Sequence, residues 1–245
     1  MRTENRSVAT ACLAALVAVA AYFGPTVLAG AATLLVLLVV IGWPALLDLP
    51  AAGGTRFVIA LAGFGAVATV YLTEGEQALR NLPLVLAMAL LLAFVNEFLR
   101  RDGRERLVDS VTGTVSGVVV AVAAAGWLAS ARGDSGVPLV VACAVGLAIA
   151  AAFAALPLRG WWSEVATVGV AVAAAGLVGW LTPDLGLARG LWAGVVAGVV
   201  VASNHLLFDR VPVVRDSRAA GVAAICVPVA VTGAIVYVVG RVLAG

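Results

Sequence analysis

The chain has no lysine: all fifteen of its basic residues are arginine. It has one histidine, three cysteines and only 11% charged residues. A soluble domain carries about 25% charge and roughly 45–50% apolar residues, whereas this chain is 63% hydrophobic over 245 residues. Those numbers exclude the soluble globular class and point to an integral membrane protein. With a single histidine, no multi-histidine metal site can form within the chain. Cys12, Cys143 and Cys226 stand singly inside apolar runs. Their spacing fits neither a metal site nor a disulfide framework, so they read as small packing residues. There is no glycine-rich phosphate cradle, nucleophile elbow or zinc motif. The net charge of +2 marks no nucleic-acid partner, since placement of charge matters more here than its sum.

What is present is apolar length. About 20 mainly apolar residues cross a bilayer as a helix, and helices satisfy their own backbone polar groups there. Nine such segments are expected, over 8–23, 26–47, 56–73, 82–99, 108–130, 137–157, 162–181, 187–207 and 219–243. The basic start MRTENRS followed by an apolar run could open a signal peptide. No soluble region follows it, so the run reads as the first membrane helix. Gly24-Pro25 makes a tight turn between the first two helices. The expected fold is all-α: one polytopic transmembrane domain over residues 1–245. No loop is long enough to fold alone, and no internal repeat is visible.

Arginine placement sets the expected orientation. Four arginines, Arg80, Arg132, Arg189 and Arg241, fall on one side, and the remaining eleven on the other. By the positive-inside rule the richer side, which includes the N-terminus, is cytoplasmic and the C-terminus is outside. An inner-membrane, multi-pass location follows. Trp43, Trp161 and Trp162 fall at inner helix ends and Trp127 and Trp180 at outer ends, as in an aromatic belt.

Small residues recur at packing spacing. Gly190, Gly194, Gly198 and Ala202 form one stripe, and Gly113, Gly117, Ala121 and Ala125 another. Such stripes let helix backbones approach closely, either inside one chain or across a homodimer. The fourth helix, LPLVLAMALLLAFVNEFL, has no glycine and is expected to face lipid.

Polar groups gather in two loops on the N-terminal side. FLRRDGRERLVDS carries Arg100, Arg101, Arg104 and Arg106, a cluster suited to anionic headgroups at about 1 kcal/mol per residue. The plainer reading is that these arginines only set topology. Glu97 is placed to pair with Arg100 or Arg101 one turn on, and Asn96 and Glu97 are expected at a helix end within reach of water. The second loop, SNHLLFDRVPVVRDSR, holds His205, Asp209, Arg210, Arg215, Asp216 and Arg218. His205 is a general-base or metal-ligand candidate, or simply a polar helix end. Asp209 and Asp216 are the residues that could hold Mg²⁺ beside a phosphate, with Arg210, Arg215 and Arg218 neutralising it. The plainer reading is a solvated loop with local ion pairs. No Asp, Glu, Arg or His stands near the centre of any expected span. This argues against a proton relay, an ion pump or a carrier of charged substrates.

The order of elements resembles the phosphatidate cytidylyltransferases, also called CDP-diacylglycerol synthases. AYFGPTVLAG resembles that family's proline-containing first hairpin, IGWPALLDL its tryptophan-containing second helix end, and FLRRDGRERLVDS its basic loop after the fourth helix. The family's signature enters the last helix, and ASNHLLFDRVPVVRDSRAAGVAAICVPVAV stands in its place. Ser203 is similar to its first serine, and Asp216-Ser217 to its closing Asp-Ser, before an apolar helix containing Pro228. The Lys-Arg and Lys-Asp pairs and the Pro-Gly-His-Gly-Gly turn are missing. Asp209-Arg210 is followed by Val-Pro-Val-Val, and LPLRGWWSEV replaces the nucleotide region. The resemblance implies a cytidylyltransferase-like plan without the activity and without a cofactor. The expected role is binding of phospholipid or a membrane-protein partner at the cytoplasmic face. The alternatives are a small permease, or an active transferase using Mg²⁺ with Asp216 and Asp209.

Overall fold

A computed structural model of the chain describes residues 3–73, 79–101, 105–156, 161–208, 214 and 217–244. Ten α-helices and no strand occur among them: α1 (Thr3–Phe23), α2 (Pro25–Leu46), α3 (Ala52–Leu72), α4 (Leu82–Leu99) and α5 (Leu107–Ala123), then α6 (Gly126–Ala131), α7 (Gly136–Phe153), α8 (Trp161–Leu181), α9 (Leu187–Phe208) and α10 (Arg218–Ala244). They make nine spans long and apolar enough to cross a membrane, with α5 and α6 together forming the fifth. The third span starts earlier than expected, at Ala52, and the sixth ends earlier, at Phe153. The chain alternates in direction, so the bundle has an N-terminal face, where α1 begins, and an opposite face.

Local chemistry explains the breaks. Gly24 sits at φ 114°, a backbone region that residues with a Cβ rarely enter, and Pro25 then opens α2 with its fixed φ. The fifth span breaks at Ala124-Ala125, where the amides of Ala124 and Ala125 bond three residues back, to Ala121 and Val122. Beyond the break, Gly126 packs against the backbone of Gly233 in α10. Trp127 follows it into the core, and its indole donates 2.8 Å to the Val229 carbonyl.

Close backbone contact organises the bundle. The α9 stripe lies on α8. A Cβ on Gly190 would stand 2.7 Å from the Ala175 carbonyl oxygen, one on Gly194 2.5 Å from Val172 Cα, and one on Gly198 2.7 Å from Val168 Cα. Gly179 of α8 meets Gly190 in the same way. This stripe is therefore covered inside the chain and offers no face for a second copy. In α2, a Cβ on Gly42 would lie 2.6 Å from the Ala219 oxygen of α10. The α5 glycines instead receive side chains: Leu49 fills the space beside Gly113, and Trp43 and Ile59 that beside Gly117. The α4 helix is the least covered, burying only Ala89, Ala93 and Glu97.

Two tryptophans depart from the expected belt. Trp43 and Trp127 are buried, and their indoles donate 2.8 Å to the carbonyls of Gly113 and Val229 respectively. An indole N–H inside a bundle needs an acceptor, and both find one on a neighbouring helix. Trp161, Trp162 and Trp180 are exposed.

The packing sets a test. Gly194→Leu should lower the unfolding temperature of the detergent-purified protein markedly, since overpacking costs about 1–3 kcal/mol or more. Gly169→Leu, with nothing within 4 Å of its Cβ position, should leave it unchanged.

Candidate functional site

The N-terminal face gathers most of the candidate polar residues into two buried groups and an arginine surface. The first group joins α3, α4 and α5. Glu97 is not at a wet helix end: it is 3% exposed. Arg100 Nη1 donates to its Oε2 at 2.7 Å, and Ser110 Oγ donates to its Oε1. Arg100 Nη2 also donates to the Glu105 carbonyl at 3.0 Å. A charged pair buried this way needs its remaining polar atoms satisfied, and Ser110 supplies that bond. Beside it the hydroxyls of Thr55 and Thr114 share a 2.9 Å bond. Asn96 packs its amide against Gly54 of α3, where any larger residue would collide. Its Nδ2 finds no acceptor among the described residues.

This geometry corrects two expectations. Asn96 and Glu97 are inside the bundle, because α4 turns its polar end towards α3 and α5. Arg100, expected among the headgroup-binding arginines, has a side chain only 7% exposed and pairs with Glu97. It is a helix-tying residue.

The second group joins α1, α8, α9 and α10. Pro228 inside α10 has no N–H, so the carbonyl of Ala224 loses its helical donor. Asn204 Nδ2 replaces it at 3.3 Å, and Thr10 Oγ1 donates to the neighbouring Ile225 carbonyl at 3.1 Å. His205 Nδ1 stands 3.2 Å from Glu164 Oε1. Buried Arg6 lines a cavity of about 40 Å³ with Thr10, Asn204, His205 and Pro228. No group of three His, Cys, Asp or Glu side chains suited to a metal occurs among the described residues. His205, in the last turn of α9, has Glu164 as a carboxylate neighbour among the described residues.

The arginine surface divides by partner. Arg101 and Arg218 are exposed, at the end of α4 and the start of α10. Arg106, in the left-handed region at φ 53°, donates to Asp109 and to Asp48, both at 3.1 Å. Those hydrogen bonds, to Asp109 first and then Asp48, hold its guanidinium above its ordinary pKa. The last turns of α2 link the two loops, since Gly42 meets α10 while Trp43 meets α5. Arg104, Asp209, Arg210, Arg215 and Asp216 lie outside the described residues. Val214, between α9 and α10, is fully buried, so that connection is not wholly solvated.

Sequence reasoning passed over the opposite face. Arg132, Arg189 and Arg241, noted only as the minority side of a charge count, line one cavity there. Their signal was weak, because the three stand far apart in sequence. Comparison with family models, curated proteins and solved structures finds no match for this chain.

The Glu97–Arg100 pair makes a direct prediction. Glu97→Leu should leave Arg100 buried without its carboxylate and destabilise the protein by about 3–5 kcal/mol, read as loss of monodisperse protein on gel filtration. Arg101→Ala should elute like the parent.

Proposed function

We propose that this chain is a non-catalytic, multi-pass inner-membrane protein that binds anionic phospholipid at its N-terminal face, and that this face is cytoplasmic. The observation that carries the reading is the eleven-to-four division of arginines between the two faces, with Arg101 and Arg218 exposed on the richer one. Arg100 and Arg106 are engaged by carboxylates, so headgroup contact falls to Arg101 and Arg218, together with Arg104, Arg210 and Arg215. Arginine suits the task because its fork of donors matches phosphate oxygens in pairs. The cytidylyltransferase-like plan fits the same reading: a lipid-facing bundle that keeps a basic cytoplasmic surface but lacks the lysines and glycine-rich turn of the enzymes.

Purified protein should retain anionic phospholipid over zwitterionic lipid when co-purifying lipids are identified by mass spectrometry. The preference should fade with salt, because exposed charges are screened beyond about 8 Å at physiological ionic strength. Arg101→Ala with Arg218→Ala should weaken it about fivefold per arginine, the equivalent of roughly 1 kcal/mol each. Equal retention of both lipid classes by the parent protein would refute the reading.

Orientation is tested separately. In a cysteine-free background, Ser217→Cys should resist an impermeant thiol reagent in intact cells, and Gly133→Cys should react. Labelling at position 217 from outside would reverse the assignment.

A further inference from the structure

The cavity on the opposite face measures about 230 Å³. That is about eight water volumes at roughly 30 Å³ each. It is smaller than the roughly 300–1,000 Å³ of a site for a drug-sized ligand. It suits a group of a few heavy atoms.

Its walls come from three separate stretches of the chain: the end of α6 through the first turn of α7, Leu185 with the first turn of α9, and the last turns of α10. Each arginine is held in place by a different device. Arg132 Nη2 donates 2.8 Å to the Tyr71 carbonyl, and its Nη1 donates to the Thr73 carbonyl, at the C-terminus of α3. Carbonyl partners hold that guanidinium without neutralising its charge. Arg189 Nη1 donates 3.1 Å to Ser135 Oγ, which donates 2.6 Å to the Asp184 carbonyl. Arg241 Nε donates 3.3 Å to the Tyr237 hydroxyl, and the guanidinium carbon lies 5.8 Å from that ring's centroid. Among the described residues the lining holds these three arginines and one carboxylate, Asp134. The N-terminal ends of α7 and α9 add the positive ends of two helix dipoles. Leu139, Leu185 and Val236 supply an apolar wall.

We propose that this cavity binds a phosphate group carried on a small organic moiety. Arginine forks match phosphate oxygens in pairs, and helix N-termini favour the same charge. The apolar wall takes the few carbons attached to the phosphate. The cavity lies where helices end, so the group comes either from a lipid headgroup or from a soluble phosphate ester.

The full chain in uncharged detergent, titrated calorimetrically, separates the outcomes. In salt high enough to screen the exposed arginines of the other face, dihexanoyl phosphatidic acid should bind saturably at one site per chain, and dihexanoyl phosphatidylcholine should bind at least tenfold more weakly. Saturable binding of glycerol 3-phosphate as well would assign a soluble ligand; its failure to bind would assign a lipid. Arg189→Gln with Arg241→Gln should weaken binding at least tenfold. Gly133→Phe should block it with all three arginines kept, because a Cβ there meets only the Ser130 oxygen, at 3.8 Å, and leaves room for a ring. Gly169→Leu, remote from the cavity on α8 and with nothing within 4 Å of its Cβ position, should leave it unchanged. No saturable binding of either phosphate, or binding indifferent to both the double variant and Gly133→Phe, would overturn the proposal.

Discussion

Between apolar helices in a bilayer there is no water to expel, so hydrophobic burial does not choose partners. Van der Waals contact, interhelical hydrogen bonds and lipid entropy must do so. This constraint accounts for where the small residues lie. The α8–α9 pair meets backbone to backbone through Gly179, Gly190, Gly194 and Gly198, and α2 meets α10 at Gly42. Where a side chain is large, a glycine opposite receives it, as Gly113 and Gly117 receive Leu49 and Trp43. Each glycine is needed at one contact, and the contacts together fix which helices neighbour which.

The same constraint governs the polar residues. In hydrocarbon an unsatisfied polar group costs several kcal/mol. Buried polar atoms therefore bridge helices: Thr55 to Thr114, Ser110 to Glu97, Trp43 to Gly113, Trp127 to Val229, Asn204 to Ala224. Asn204 shows how this couples to sequence. Pro228 frees a carbonyl in α10, and a polar residue on α9 is required at that height. These bonds specify pairing that apolar stripes alone would leave degenerate.

Spans were legible because hydropathy over some twenty residues is a local property. Eight of the nine spans are single helices, and the fifth hides a break at Ala124-Ala125 that two alanines do not announce. Pairing was less legible. The glycine stripe of α9 signalled a close contact, but nothing in it distinguished α8 from a second chain. Glu97 and Trp127 were misplaced for one reason: their positions near helix ends suggested water, while their burial depends on which face a neighbour covers. The cavity at Arg132, Arg189 and Arg241 was invisible for a related reason. Its residues belong to three connections whose juxtaposition exists only after α7, α9 and α10 have packed.

The two faces differ in how arginine is partnered, and that difference matters more than the count. On the richer face Arg100 and Arg106 pair with Glu97, Asp48 and Asp109, so part of its charge is neutralised and used to tie helix ends together. Of its other described arginines, Arg6 is buried and Arg56, Arg101 and Arg218 are exposed. On the poorer face Arg132 donates to carbonyls, Arg189 to a hydroxyl among its partners and Arg241 to a tyrosine among its partners, around a half-open cavity. Pre-positioned cations in a confined space lose less conformational entropy on binding than solvated ones. On the two readings proposed above, selectivity for one ligand belongs to the face with fewer arginines, and non-selective membrane attraction to the face with more.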